Sequence, residues 1–110
     1  MKYARIYTLL HERAASVPGF HINDHSTWNY TVQNWMTRQR PLWIIVEDPS
    51  VNRRIWITQE RNQLGLSCAQ LDADPRSQAH RDSYCAWSPH TQGAQLAQLK
   101  KLLGVEEAAG

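Results

Sequence analysis

Two short runs of β-branched and aromatic residues, Leu42-Trp43-Ile44-Ile45-Val46-Glu47 and Arg54-Ile55-Trp56-Ile57-Thr58, flank a turn-forming segment, Asp48-Pro49-Ser50-Val51-Asn52. Such a pattern predicts an antiparallel hairpin. Its register is constrained from both faces, because a slip of one residue would exchange them. Setting Val46 opposite Ile55 brings Ile44 opposite Ile57 on the same face. On the other face the same alignment sets Glu47 against Arg54, Ile45 against Trp56 and Trp43 against Thr58. An opposite-charge pair and an aromatic/β-branched pair fall into register together, which favours this alignment. Both faces of the hairpin then carry large apolar groups, whereas a sheet wet on one side alternates apolar with polar. The Trp43/Ile45/Trp56 face is therefore expected to be covered, by a helix of this chain or by a partner.

The rest of the chain supplies elements to pack on that hairpin. Tyr3, Ile6, Tyr7, Leu10, Ala14 and Val17 recur at helical spacing, which predicts a core-packing helix over residues 3–16, stopped by Pro18-Gly19. Residues 20–25 read as a polar turn. Trp28, Val32, Trp35 and Met36 fit a helical stripe, and Trp28, Tyr30 and Val32 also alternate as a strand would. Trp35-Met36 breaks the alternation, so a helix is expected over 26–38, with Asp24 or Ser26 as its N-cap and Pro41 beyond its end. A third strand is expected from Leu64 to Leu71, with Leu64, Leu66 and Cys68 on one face. Residues 72–83 read as a polar loop holding at most a short turn of helix, and Tyr84–Trp87 as a short, core-like fourth strand. Ser88 as N-cap and Pro89 at the first helical position open a last helix. Leu96, Leu99, Leu102 and Leu103 form its apolar face, and Gly104 ends it. The expected fold class is α+β: a small antiparallel sheet of three to four strands with N-terminal and C-terminal helices packed on it. Residues 1–104 form one domain in this reading, and residues 105–110 a flexible tail.

Length and composition narrow the function classes. A chain of 110 residues is one domain's worth. Arg5, His11, Glu12 and Arg13 interrupt the N-terminal region, so it lacks the run of about 7–15 apolar residues that a secretion signal needs. No segment approaches the about 18 apolar residues of a membrane span. The expectation is a soluble, cytoplasmic protein whose two cysteines, Cys68 and Cys85, stay reduced and mostly buried. The net charge of +2 is too small to name an acidic partner. Nine of the twelve basic residues are Arg, the side chain of bidentate recognition and aromatic stacking.

Several groupings contain residue types suited to chemistry. His21, Asp24 and His25 would converge on a metal only if they lay on a helix, and Pro18-Gly19 with Asn23-Asp24 indicates a turn. Cys68, His80, Cys85 and His90 are the right residue types for zinc but contain no close Cys pair. Cys85 with His80 or His90 would make a nucleophile and base, against the core-like Tyr84, Ala86 and Trp87 around it. Asp72, Asp74 and Asp82 flank Pro75-Arg76 and read as a polar loop rather than a cation site. The chain has no Gly-rich phosphate loop and no nucleophile elbow. No catalytic residue, metal site or cofactor is assigned.

The grouping that points to binding is the interleave of Trp35, Arg38, Arg40, Trp43, Arg53, Arg54, Trp56 and Arg61. Trp and Arg dominate the hot spots of protein interfaces, and mixed charges around them make a polar rim. Single-stranded nucleic acid also takes stacking aromatics among guanidinium groups. Glu47, Asp48 and Glu60 cut the charge of that stretch to +2, however, and a nucleic-acid footprint is normally a patch of one sign. The order helix–three strands–helix is shared with double-stranded RNA-binding domains, but the last helix lacks basic residues at its N-terminus. The expectation is a non-enzymatic binding protein whose partner is another protein, a ribonucleoprotein or a second copy of itself. Small Trp- and Arg-rich domains without catalytic motifs suit stoichiometric inhibitors, among them the anti-defence (anti-CRISPR-like) proteins of mobile elements. A nucleic-acid-binding domain is the first alternative, and a metal- or thiol-dependent enzyme the second.

Overall fold

The hairpin forms in the expected register. In the computed structural model, which describes residues 3–26, 42–60 and 63–105, strand β2 (Leu42–Asp48) pairs antiparallel with β3 (Arg53–Glu60). Val46 faces Ile55, Ile44 faces Ile57, Glu47 faces Arg54, Ile45 faces Trp56 and Trp43 faces Thr58. Asn52 closes the turn with a positive φ of 53°, a conformation that Asn tolerates better than most side chains. Its side chain also ties the turn to Asp72, donating to Oδ1 at 3.2 Å and accepting from the Asp72 N–H at 3.2 Å.

Around this hairpin the sheet has five strands in sequence order, an antiparallel meander β1-β2-β3-β4-β5. Strand β4 (Gln63–Gln70) and strand β5 (Cys85–Trp87) are the third and fourth strands expected. The additional one is β1 (His21–Asp24), which pairs with β2 where a polar turn was expected. Its sequence, His-Ile-Asn-Asp, has one apolar residue and no strand-like run, so its pairing comes from the free edge of β2 rather than from its own propensity. Ile22 faces Val46 and is half-buried against the core.

One face of the sheet is covered by two helices. Helix α1 (Ala4–Ser16) and helix α3 (Gln92–Leu102) bury Ile6, Leu9, Leu10, Leu99 and Leu102 against Leu42, Ile44, Val46, Ile55, Ile57, Leu66 and Cys68. The buried stripe of α1 contains Leu9 and not Ala14, which is exposed. Each fully buried Leu or Ile contributes about 1.5–3 kcal/mol by leaving water. Arg13 of α1 reaches Asp48 at the end of β2, with its Nη2 3.0 Å from Oδ2. The Asp48 side chain is fully buried, and its Oδ1 accepts from the Ser50 N–H and hydroxyl at 2.9 and 2.6 Å. One carboxylate thus anchors both the hairpin turn and the helix above it.

Helix α3 begins later than expected. Thr91, not Ser88, caps it, its hydroxyl accepting from the Ala94 N–H at 3.0 Å, so Pro89 lies outside the helix. Gln95 interrupts the apolar stripe yet is fully buried, and its Nε2 donates to the carbonyls of Thr58 and Gly65 at 3.1 and 3.0 Å. Gly104 ends the helix with φ +70, and an added Cβ would stand 3.4 Å from Val51 Cγ1. Gly104→Ala is expected to lower stability by about 1–2 kcal/mol, measured by denaturant unfolding, because an L side chain is strained in the left-handed region. Val105, expected in a frayed tail, packs on the core, and its N–H donates to the Lys100 carbonyl at 2.9 Å. The helix expected over 26–38 and residues 106–110 lie outside the described residues, apart from Ser26. Ser26 is fully buried; its N–H donates to Asp24 Oδ1 at 2.9 Å, and its hydroxyl accepts from the Trp43 N–H at 2.8 Å. Among the described residues no helix is long and apolar enough to cross a membrane.

Candidate functional site

Side chains alternate across a strand, so fixing Ile44, Val46, Ile55 and Ile57 in the core turns their neighbours to the opposite face. The pairing register arranges that face in three rows across the strands. The first is polar at one end, with His21, Glu47, Arg54 and Ala69 side by side. The second runs Asn23, Ile45, Trp56, Ser67 and Ala86. The third holds Trp43, Thr58 and Gly65. Trp43, Ile45 and Trp56 are all half-buried.

A short helix, α2 (Gln78–Ser83), lies over one end of this face. Ser77 caps it by accepting from the His80 N–H, and Ser83 fastens its far end by accepting from the Gln70 N–H at 2.9 Å. Ala69, in the first row, is buried. Three rings meet above the second row. His80 stands edge-on to Trp56 with centroids 6.3 Å apart, and Tyr84 lies 6.2 Å from Trp56 and 6.4 Å from His80. Such offset and tilted contacts place the positive edge of one ring on the negative face of another. Tyr84 is 48% exposed, the one large hydrophobic side chain so open among the described residues. Beside Trp56 the partners on β4 are small: Ser67, and Gly65 one row away, where a Cβ would collide with the Thr58 side chain. The face therefore presents an aromatic ridge next to a low floor.

Charge is arranged at one margin. Glu47 lies between Arg54, whose Nη2 is 3.0 Å from Oε2, and His21, whose Nδ1 is 4.0 Å from Oε1. Arg53 points to the helix-covered face instead, where its Nη1 donates to the Leu102 carbonyl at 2.5 Å and holds the end of α3. Of the residues predicted to bind, Trp43, Arg54 and Trp56 share one face and Arg53 lies on the other. Trp35, Arg38, Arg40 and Arg61 lie outside the described residues. His80 and Tyr84 were not foreseen as members of this site. His80 comes from a segment whose polarity read as loop, and Tyr84 from the start of a short strand read as core, so nothing in either pattern ties them to Trp56.

The zinc-type grouping is brought together only in part, with Cys68 and Cys85 facing each other across β4 and β5. Among the described residues no three His, Cys, Asp or Glu side chains converge as metal ligands would. His80 packs on Trp56, across the sheet from Cys68. Asp24 accepts from the Tyr7 hydroxyl at 2.5 Å, while His21 is on the other side of β1. Asp72 accepts a hydrogen bond from the Asn52 side chain across the turn, and Asp74 and Asp82 accept local ones from the Arg76 N–H and the Gln78 side chain. Tyr84, Cys85 and Ala86, expected as core, are exposed, because β5 is a three-residue strand at the edge of the sheet. No protein-family model, curated protein or solved structure matches the chain.

Proposed function

We propose that this chain is a non-enzymatic binding protein that engages another protein, free or within a ribonucleoprotein, through the sheet face centred on Trp56. The observation that carries the reading is the ring cluster of Trp56, His80 and Tyr84, half open on a face that also bears Trp43 and Ile45. Rigid aromatic anchors beside small residues, with a charged margin, are the anatomy of an interface hot spot. Occupying a partner's surface in this way suits a stoichiometric inhibitor or adaptor.

Among the described residues, the two arginines of the hairpin favour protein over nucleic acid as the partner. Arg54 is paired with Glu47 and Arg53 with a backbone carbonyl, so neither is held ready for a phosphate. Affinity capture from the native host, with salt and nuclease arms and nucleic-acid staining of the eluate, tests the reading. The expected result is a protein retained after nuclease treatment and only weakly sensitive to salt. Material released by nuclease, or an affinity that falls steeply with salt, would identify a nucleic-acid binder instead.

A further inference from the structure

The two free cysteines occupy directly opposed positions on neighbouring strands, Cys68 in β4 and Cys85 in β5. Opposed residues of an antiparallel pair have Cα atoms about 4.5 or 5.5 Å apart, and disulfides span about 4.4–6.8 Å between Cα atoms. Both side chains project to the same face, since opposed residues always do. Their exposure differs: Cys68 is buried against the core, and Cys85 is exposed at the edge of the sheet. We propose that Cys68 and Cys85 form a dithiol that closes to a cross-strand disulfide by exchange with a small-molecule disulfide such as oxidised glutathione.

The order of events follows from access. Cys85 loses its proton, and its sulfur attacks one sulfur of the small disulfide. A mixed disulfide forms on Cys85, and one small thiolate leaves and takes up a proton. Cys68 then loses its proton and attacks the Cys85 sulfur, which expels the second small thiol. The protein gives up two electrons and two protons, and the small disulfide is reduced to two thiols. Burial pushes the Cys68 thiol up from its ordinary value, the neighbouring Cys85 adds to this, and Arg53 partly opposes it. Cys68 is therefore the poorer first nucleophile and the resolving one.

Closure would join β5 covalently to β4 and bound the segment that carries α2, His80 and Tyr84. This inference about the thiols stands apart from the proposed docking face, and its test involves no partner. The reduced full chain is equilibrated with glutathione buffers of rising oxidised fraction, quenched in acid and weighed intact. The expected product is a monomer lighter by two hydrogens, with no glutathione adduct accumulating. Cys85→Ala, which truncates an exposed side chain, should take up no glutathione under the same conditions. Cys68→Ala should accumulate one glutathione, on Cys85. A wild-type chain that stays reduced in every buffer, or collects as a glutathione adduct or a disulfide-linked dimer, would overturn the proposal.

Discussion

Asp48→Ala is expected to lower the unfolding free energy by about 3 kcal/mol, with a shifted denaturant midpoint and an unchanged slope. The substitution removes an acceptor whose side chain is fully buried and leaves three donors without it: the Arg13 guanidinium and the Ser50 N–H and hydroxyl. Arg13 is 21% exposed, so water replaces part of what it loses, which keeps the effect at the lower end for a broken buried pair. Asp48→Asn retains an oxygen for Ser50 but sets an amide or a neutral oxygen against Arg13. It should fall between wild type and Asp48→Ala. Arg13→Met combined with Asp48→Leu should recover part of the loss, because removing both charges leaves no unpaired ion. Full wild-type stability in Asp48→Ala would show that the carboxylate does not anchor helix and turn together.

Ile44 and Ile45 offer the second large effect, as a contrast between adjacent residues of one type. Ile44 is fully buried beneath the helices, and Ile45 is half-buried on the other face beside Trp56. Ile44→Ala should cost about 2–5 kcal/mol, through lost transfer energy and the cavity left behind. Ile45→Ala should cost about 1 kcal/mol in the free protein, in proportion to the smaller apolar area it buries. Denaturant unfolding of both variants reads the difference. Equal losses would mean that the second face is packed as tightly as the first, which leaves no surface for a partner.

The parts of this fold that could be read from sequence are those in which independent signals coincide. The β2–β3 register was legible because a charge pair, an aromatic pair and two Ile/Val pairs require the same alignment. The end of α3 was legible because Gly104 takes a left-handed conformation that other residues resist. Strand β1 was not, since a four-residue polar segment becomes a strand only by meeting an unpaired edge. The start of α3 was misplaced because Ser88 and Thr91 are both good caps, and only the hydrogen bond to Ala94 separates them. Gln95 broke an apolar stripe, and its burial depends on two carbonyls from strands far away in sequence. The candidate site was half legible for the same reason. Trp43 and Trp56 follow from strand alternation, whereas His80 and Tyr84 reach Trp56 through tertiary folding alone.

Trp56 is the point on which the proposed function turns, so capture of the host partner by Trp56→Ala and wild type, side by side, is the most direct test. Binding is expected to weaken by at least about 2 kcal/mol, roughly thirtyfold in affinity. The variant should stay folded, with its core face intact, and Tyr84→Ala should weaken capture in the same direction. Undiminished capture by a folded Trp56→Ala chain would move the binding surface off this face of the sheet.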